Sequence, residues 1–194
     1  CSNLHEPIEN PDLEKFPDLS NFSHRIIYNA YLNALLNYND HCCQNSDIFD
    51  VVDFEKYQNI VMIGYFKPLV EKLDPVNIDV KIFDLFADDK RVYPIEKQPE
   101  IIPGADALIL TATSLSNNTF VDLISQTGEN CDIFLLGPST PLSWEFFKYR
   151  NIISVFGMQV DLHDDRVLET IENGMGTRTF SKLGRKVVLQ HKRK

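Results

Sequence analysis

Ala105–Ile124 reads ADALILTATSLSNNTFVDLI, and the way this stretch folds decides the architecture of the chain. It opens on an unbroken apolar run, Ala107-Leu108-Ile109-Leu110. It then passes through a polar elbow, Thr111-Ala112-Thr113-Ser114-Leu115-Ser116-Asn117-Asn118, and closes on a helical pattern, Phe120, Val121, Leu123 and Ile124. An apolar run of this length bounded by small polar residues is a strand buried on both faces. Such strands belong to parallel sheets with helices on both sides. The elbow then lies at the carboxyl end of a central strand, where open α/β sheets bind their ligands.

Two other stretches repeat the pattern. Ile60-Val61-Met62-Ile63 runs into Gly64-Tyr65-Phe66-Lys67-Pro68, and Asp132-Ile133-Phe134-Leu135-Leu136 runs into Gly137-Pro138-Ser139-Thr140-Pro141. Further strands are predicted at Val80–Phe83, ending on Asp84, at Ile152–Phe156, and at Lys186–Leu189, the last antiparallel or at an edge. Helices are predicted at Phe66–Leu73, from Thr140-Pro141 onward, and at Asp164–Glu172 with Val167, Leu168 and Ile171 inward. The fold class that follows is α/β: a doubly wound, mostly parallel Rossmann-like sheet with helices on both faces.

Before this alternation come two different segments. Residues 1–22 carry Pro7, Pro11 and Pro17 and read as an N-terminal arm. Residues 23–58 read as a lead-in helix and an acidic connection, leaving 59–194 as the Rossmann-like domain. The helix has apolar residues at Ile26, Ile27, Ala30, Tyr31, Ala34, Leu35 and Tyr38, which predicts that this face packs inward. Asn29, Asn33 and Asn37 fall four apart in a polar stripe beside it. They make either a solvated edge or a set of amides directed into a cleft.

The formal net charge of −9 over 194 residues disfavours nucleic acid as the main partner, because phosphate neutralisation needs clustered Lys and Arg. No apolar run approaches the ~20 residues needed to cross a bilayer, and the polar, acidic start carries no signal peptide. The absence of an initiating Met leaves room for residues before Cys1. The four cysteines, Cys1, Cys42, Cys43 and Cys131, form neither a CxxC pair nor a disulfide framework, so a reducing cytoplasm is the compartment they fit. His41-Cys42-Cys43 are adjacent rather than spaced as metal-ligand pairs, and ordinary loop residues are the better reading.

The three elbows supply glycines for close backbone approach, hydroxyls, and free helix N–H groups, which together can hold an anion or a carbonyl-rich ring. The same residues also serve as turns and caps. Gly64-Tyr65-Phe66-Lys67-Pro68-Leu69 holds one of the three glycines of G-x-G-x-x-G, which disfavours NAD. S-adenosylmethionine or a divalent metal stays open. Asp84 stands where an acid can bind a ribose, or it is a turn carboxylate. Gly174-Met175-Gly176-Thr177-Arg178 is either a loop able to close over an anionic group or a helix cap leading into the last strand. His163, among Asp161, Asp164 and Asp165, reads as part of a helix start, and His24 either reaches the cleft or sits on the surface. No G-x-S-x-G, HExxH or P-loop occurs, and no nucleophile or general base stands out.

Ile60–Leu73 (IVMIGYFKPLVEKL), Pro103–Leu123 (PGADALILTATSLSNNTFVDL), Leu136–Pro141 (LGPSTP) and Glu172–Leu189 (ENGMGTRTFSKLGRKVVL) resemble the Rossmann-like domain of the heavy-metal chelation family, domain of unknown function 364. Ala30–Asn37 (AYLNALLN) resembles the stretch that leads into it. The resemblance implies a role in making or handling small metal-chelating or pterin-like molecules. It implies a ligand site built from Gly64, Tyr65, Phe66, Thr111, Thr113, Asn117, Thr119, Gly137, Pro138, Ser139, Gly176, Thr177 and Arg178, to which the strand-end reading adds Asp84 and Thr140. In that family an enolase-N-terminal-like domain precedes the Rossmann-like one. Here only Cys1–Asn21 precedes the first helix, so part of the site is expected to be absent or borrowed from a partner. Two expectations follow: a small-molecule enzyme or chelator-handling protein, or a non-catalytic binding or regulatory module. The partner expected is a small-molecule ligand, with a homo-oligomer open and neither nucleic acid nor membrane involved.

Overall fold

The computed structural model describes residues 17–38, 44–149, 151–161, 164–173, 175, 179 and 183–191. Helix α1 (Phe22–Leu36) comes first. A two-residue strand β1 (Gln44–Asn45) and a short helix α2 (Ile48–Val51) follow. The alternating part then runs β2 (Ile60–Ile63), α3 (Lys67–Leu73), β3 (Val80–Phe83), α4 (Gln98–Ile101), β4 (Ala107–Thr111), α5 (Thr113–Ser116), α6 (Phe120–Ser125), β5 (Asp132–Leu136), β6 (Ile152–Val160), α7 (Asp165–Glu172) and β7 (Gly184–Gln190). Every strand read from the sequence is present, and β1 is an addition too short to carry a period.

The strands form one seven-stranded sheet in the order β1-β7-β6-β5-β4-β2-β3. β3, β2, β4, β5 and β6 are parallel neighbours, and β7 and β1 join antiparallel. Period-two alternation sorts the strand residues onto two faces. Val61, Ile63, Leu108, Leu110, Ile133 and Leu135 pack on one face with Ile102, Phe120, Leu123 and Leu142. Ile60, Met62, Val80, Ile82, Ala107, Ile109 and Phe134 pack on the other with Leu69, Val70 and Leu73 of α3 and with Ile48 and Phe54. Each fully buried aliphatic side chain of this kind contributes about 1.5–3 kcal/mol. Two covered faces explain why these strands are apolar throughout rather than alternating.

The order contains one reversal. From β2 the chain passes through α3 to β3, then returns past β2 to β4, and continues outward through β5 and β6. The α3 crossover, which leaves β2, packs on one face, and the α6 crossover, which leaves β4 and carries Phe120 and Leu123, packs on the other. The loops leaving β2 and β4 therefore diverge to opposite sides, which makes the carboxyl edge between them a topological switch point, the place where open α/β sheets form a crevice.

Four expectations are corrected. On α1 the buried positions are Ile26 and Asn29, followed by Asn37 just past its end, while Ala30, Tyr31, Ala34 and Leu35 face solvent. The asparagine side of the helix packs inward because the groups it meets are backbone carbonyls. After Thr140-Pro141 no α-helix forms: Ser143 N donates to the Pro141 carbonyl at 3.0 Å, and the next helical segment is a 3-10 helix at Trp144–Lys148 capped by Ser143. Pro141 cannot donate a backbone hydrogen bond, and the neighbouring carbonyls are already taken by side chains. β6 runs to Val160, four residues past the apolar run that marked it, because β7 alone continues beside it. On α7, Val167 is buried but Leu168 is exposed.

Candidate functional site

Gly64 ends β2 with a φ of +92°, a conformation that costs other residues steric strain. A Cβ there would come within 2.9 Å of Thr111 Cβ. Gly64 thus lets the ends of β2 and β4 touch at the floor of the crevice. Above that floor, Thr111 Oγ1 and Thr113 Oγ1 share a hydrogen bond of 3.0 Å. Ser114 Oγ donates to the Thr111 carbonyl at 2.7 Å. Ser114 is buried, whereas Thr111 and Thr113 are half-buried and form the polar lip.

On the β3 side, Asp84 acts as a turn carboxylate. Its Oδ2 accepts from Tyr65 N at 2.8 Å, and its Oδ1 accepts from Phe86 N and Ala87 N at 2.8 Å each. The loop after β3 is thereby tied to the loop after β2. Tyr65 is held further out: its hydroxyl donates to Asp89 Oδ2 at 2.8 Å and accepts from Arg91 at 2.8 Å. Arg91 grips both oxygens of Asp89 at 3.0 and 2.9 Å and reaches Asp74 at 2.8 Å. This fork is a bidentate, charge-assisted pair. It holds the Asp89 carboxyl well below the usual carboxylate range, and the Asp89 hydrogen bond pushes the Tyr65 hydroxyl up. The Arg91 guanidinium also lies over the Tyr65 ring, 5.9 Å from its centroid. Phe66 packs against the core on the α3 side.

On the β5 side, Gly137 has a φ of +141° and Pro138 is exposed. Ser139 and Thr140 are buried, and α1 is the reason. Asn29 and Asn33 both donate to the Ser139 carbonyl, at 3.0 and 2.9 Å. Asn37 donates to the carbonyls of Thr140 and Met158 at 3.0 and 3.3 Å and accepts from Leu142 N at 2.8 Å. Arg25 Nε donates to the Ser116 carbonyl at 2.6 Å. Helix α1 is therefore a strap across the carboxyl ends of β4, β5 and β6. The crevice beside β2 is left uncovered by these contacts.

Of the residues singled out in the sequence, Gly64, Thr111 and Thr113 come together at the switch point. Tyr65 and Asp84 flank it on the β3 side. Ser139 and Thr140 sit under α1, and the Thr140 hydroxyl is spent on the Gly137 carbonyl at 2.7 Å. Asn117 and Thr119 are exposed on the turn between α5 and α6. Gly176, Thr177 and Arg178 lie outside the described residues, as do His163 and the His41-Cys42-Cys43 run. His24 serves the start of α1, its Nδ1 accepting from Asp18 N at 3.0 Å. The asparagine rack and the Asp89–Arg91 fork were not assigned from sequence. The four-residue spacing of the asparagines was visible, but their partners lie more than a hundred residues away.

Chemically, the crevice offers neutral hydroxyls and backbone groups, with a charged fork at its flank. Among the described residues, no three His, Cys, Asp or Glu side chains come together as a metal-holding group, and no helix is long and apolar enough to cross a membrane.

Two solved structures share this architecture. One, of unknown function, comes from Pyrococcus horikoshii: TM-score 0.78, 21% identity, covering 98% of this chain and 78% of that one. The other, also of unknown function, comes from Desulfitobacterium hafniense: TM-score 0.72, 24% identity, covering 88% of this chain and 69% of that one. Both are described as DUF364 proteins, and at these identities the likeness establishes the fold. No curated protein matches the chain. Residues 47–190 match the family DUF364, described as "Putative heavy-metal chelation". That match spans most of the sequence, and the chain belongs to this family, domain of unknown function 364.

Proposed function

We propose that the protein binds a small polar molecule in the crevice between the ends of β2 and β4, and that this molecule is a metal-chelating or pterin-like compound. The observation that carries the reading is the Gly64–Thr111 contact at the strand-order reversal, with the Thr111 and Thr113 hydroxyls above it. Crevices at such reversals are the ligand sites of open α/β sheets. Thr111 and Thr113 orient a ring carbonyl or carboxylate through their hydroxyls, and the half-buried Tyr65 ring forms a wall. The family description supports the chelator class. A divalent metal enters this reading as part of the ligand, and S-adenosylmethionine is the alternative nucleoside ligand.

Calorimetric titration of the chain with a pterin, S-adenosylmethionine and divalent metals, alone and together, tests it. Saturable binding is expected. Thr113→Val, which keeps shape and removes one hydroxyl, is expected to weaken it about tenfold, the equivalent of one hydrogen bond of ~1.4 kcal/mol. Absence of binding by every probe, or unaltered binding in Thr113→Val, overturns the reading. Turnover of a bound probe by this chain identifies it as an enzyme, and binding without turnover supports a binding or regulatory module.

A further inference from the structure

Helix α1 turns its apolar side to water. Its inward side is already committed: Asn29, Asn33 and Asn37 hold the carbonyls of Ser139, Thr140 and Met158, and Ile26 is buried. A surface helix ordinarily puts charged and polar residues outward. Between Arg25 and the end of α1 the exposed residues are Tyr28, Ala30, Tyr31, Ala34 and Leu35, all aromatic or aliphatic. Tyr31 is 51% exposed and Leu35 56%. The Tyr28 and Tyr31 rings stack with centroids 6.4 Å apart. From Ile26 to Asn39 the sequence holds no Asp, Glu, Lys, Arg or His.

This outer side also has a helix-pairing period. Ile27, Tyr31, Ala34 and Tyr38 recur at intervals of four, three and four residues, which keeps them on one stripe. That is the spacing of a seam between two packed helices. Tyr28 and Leu35 flank the stripe on one side and Ala30 on the other.

We propose that a second copy of the chain covers this side, with α1 packed antiparallel on α1 across a two-fold axis. Charge and shape both select a second copy. Each chain carries a net charge of −9, so two copies repel wherever their acidic surfaces meet. The uncharged side of α1 is where they can approach, and it offers no carboxylate to a basic partner. A two-fold interface sets the same patch against itself, so the patch must be self-complementary. With the axis beside Leu32 and Asn33, Tyr31 of each copy meets Ala34 of the other, large against small, and Ile27 meets Tyr38. Half of an aromatic side chain is on the order of 100 Å², so α1 supplies roughly a few hundred Å² per copy, less than the ~800 Å² of a standard stable interface. The dimer is therefore weak, with a Kd on the order of 10 µM. It uses none of Gly64, Thr111 and Thr113, so it stands or falls apart from the ligand site.

Sedimentation velocity of the whole chain from about 1 to 200 µM, a range that brackets such a Kd, tests the pairing. A monomer–dimer equilibrium is expected, tighter at higher salt because added ions screen the like charges. Tyr31→Glu and Leu35→Lys are each expected to weaken the dimer by about tenfold or more. Both positions are exposed, so the monomer's denaturation midpoint is expected to hold, and either variant carries the test if the other misfolds. Phe86→Glu, at an exposed aromatic in the loop after β3, is expected to leave the dimer intact. Mixing Tyr31→Glu chains with Ala34→Lys chains is expected to restore association, because the introduced charges then face each other. A monomer throughout the range, a dimer insensitive to Tyr31→Glu, loss of the dimer in Phe86→Glu, or a mixture that stays monomeric would overturn the proposal.

Discussion

Gly64 and Thr111 touch where the strand order reverses, and the backbone at Gly64 leaves no room for a side chain. With φ at +92° and a Cβ position 2.9 Å from Thr111 Cβ, Gly64→Ala is expected to lose about 2–4 kcal/mol of stability, strain and clash together, in urea denaturation. An unchanged midpoint would mean that the two strand ends separate readily. Cys131 makes a contrasting case. It opens β5 at the end of the strand remote from the elbow, and burial followed by the carboxylates of Asp132 and Asp106 pushes its thiol up to about 12. The thiolate is the reactive form, so Cys131 is expected to resist iodoacetamide at neutral pH and to react only after unfolding. Site-resolved mass spectrometry reads this directly. Gly64 was legible in sequence as the end of an apolar run. The contact between Gly64 and Thr111 was not, because it joins strands whose adjacency depends on the order of the whole sheet.

Helix α1 shows where local pattern misleads. Its apolar residues at helical spacing pointed inward on hydrophobic grounds, yet Tyr31 and Leu35 are exposed and the asparagines are buried. The carbonyls of Ser139 and Thr140 and the N–H of Leu142 have no strand to pair with, and three amides at four-residue spacing satisfy them. Leaving such groups buried and bare costs ~1–3 kcal/mol each, and the three together outweigh the about 1.5–3 kcal/mol that one exposed leucine forfeits. Asn37→Ala is therefore expected to destabilise by about 2–4 kcal/mol, and Asn33→Ala by less, since Asn29 still serves Ser139. Equal effects of the two in denaturant titrations would contradict the assignment of Asn37 as the principal anchor.

The Tyr65–Asp89–Arg91 group sets a pH dependence at the same scale. The Asp89 carboxyl is depressed in the folded protein, so its contribution is fully present above the ordinary carboxylate value of ~3.9 and fades as pH falls through its folded value. The Tyr65 hydroxyl is raised, so its contribution holds below the ordinary tyrosine value of ~10 and is lost as pH rises through the folded one. The fork is thus intact between mild acid and mild alkali. Asp89→Asn is expected to bring the Tyr65 titration, followed by ultraviolet absorbance, back toward lower pH. An unmoved titration would show that Asp89 does not govern Tyr65.

At the scale of the molecule, the sheet accounts for the position of every feature above. Apolar runs closed by small polar residues announced a doubly wound α/β sheet, and the structure has one, with five parallel strands and an antiparallel margin. Periodicity and turn chemistry are local, so they survive in the sequence. The reversal between β2 and β4, the strap of α1 across β4 to β6, and the overhang of β6 are long-range choices with no local signature. Among the described residues they divide the carboxyl edge into a switch point that α1 does not strap and a part that it does, and so turn three similar elbows into unlike ones.

That division is the central claim, and amide chemical-shift mapping tests it most directly. With the pterin, S-adenosylmethionine or metal probe that binds, the account predicts that the largest shifts fall on Gly64, Tyr65 and Thr111–Ser114, with Ser139 and Thr140 little moved beneath α1. The largest shifts on Ser139–Leu142, with Gly64 and Thr111 silent, would contradict it.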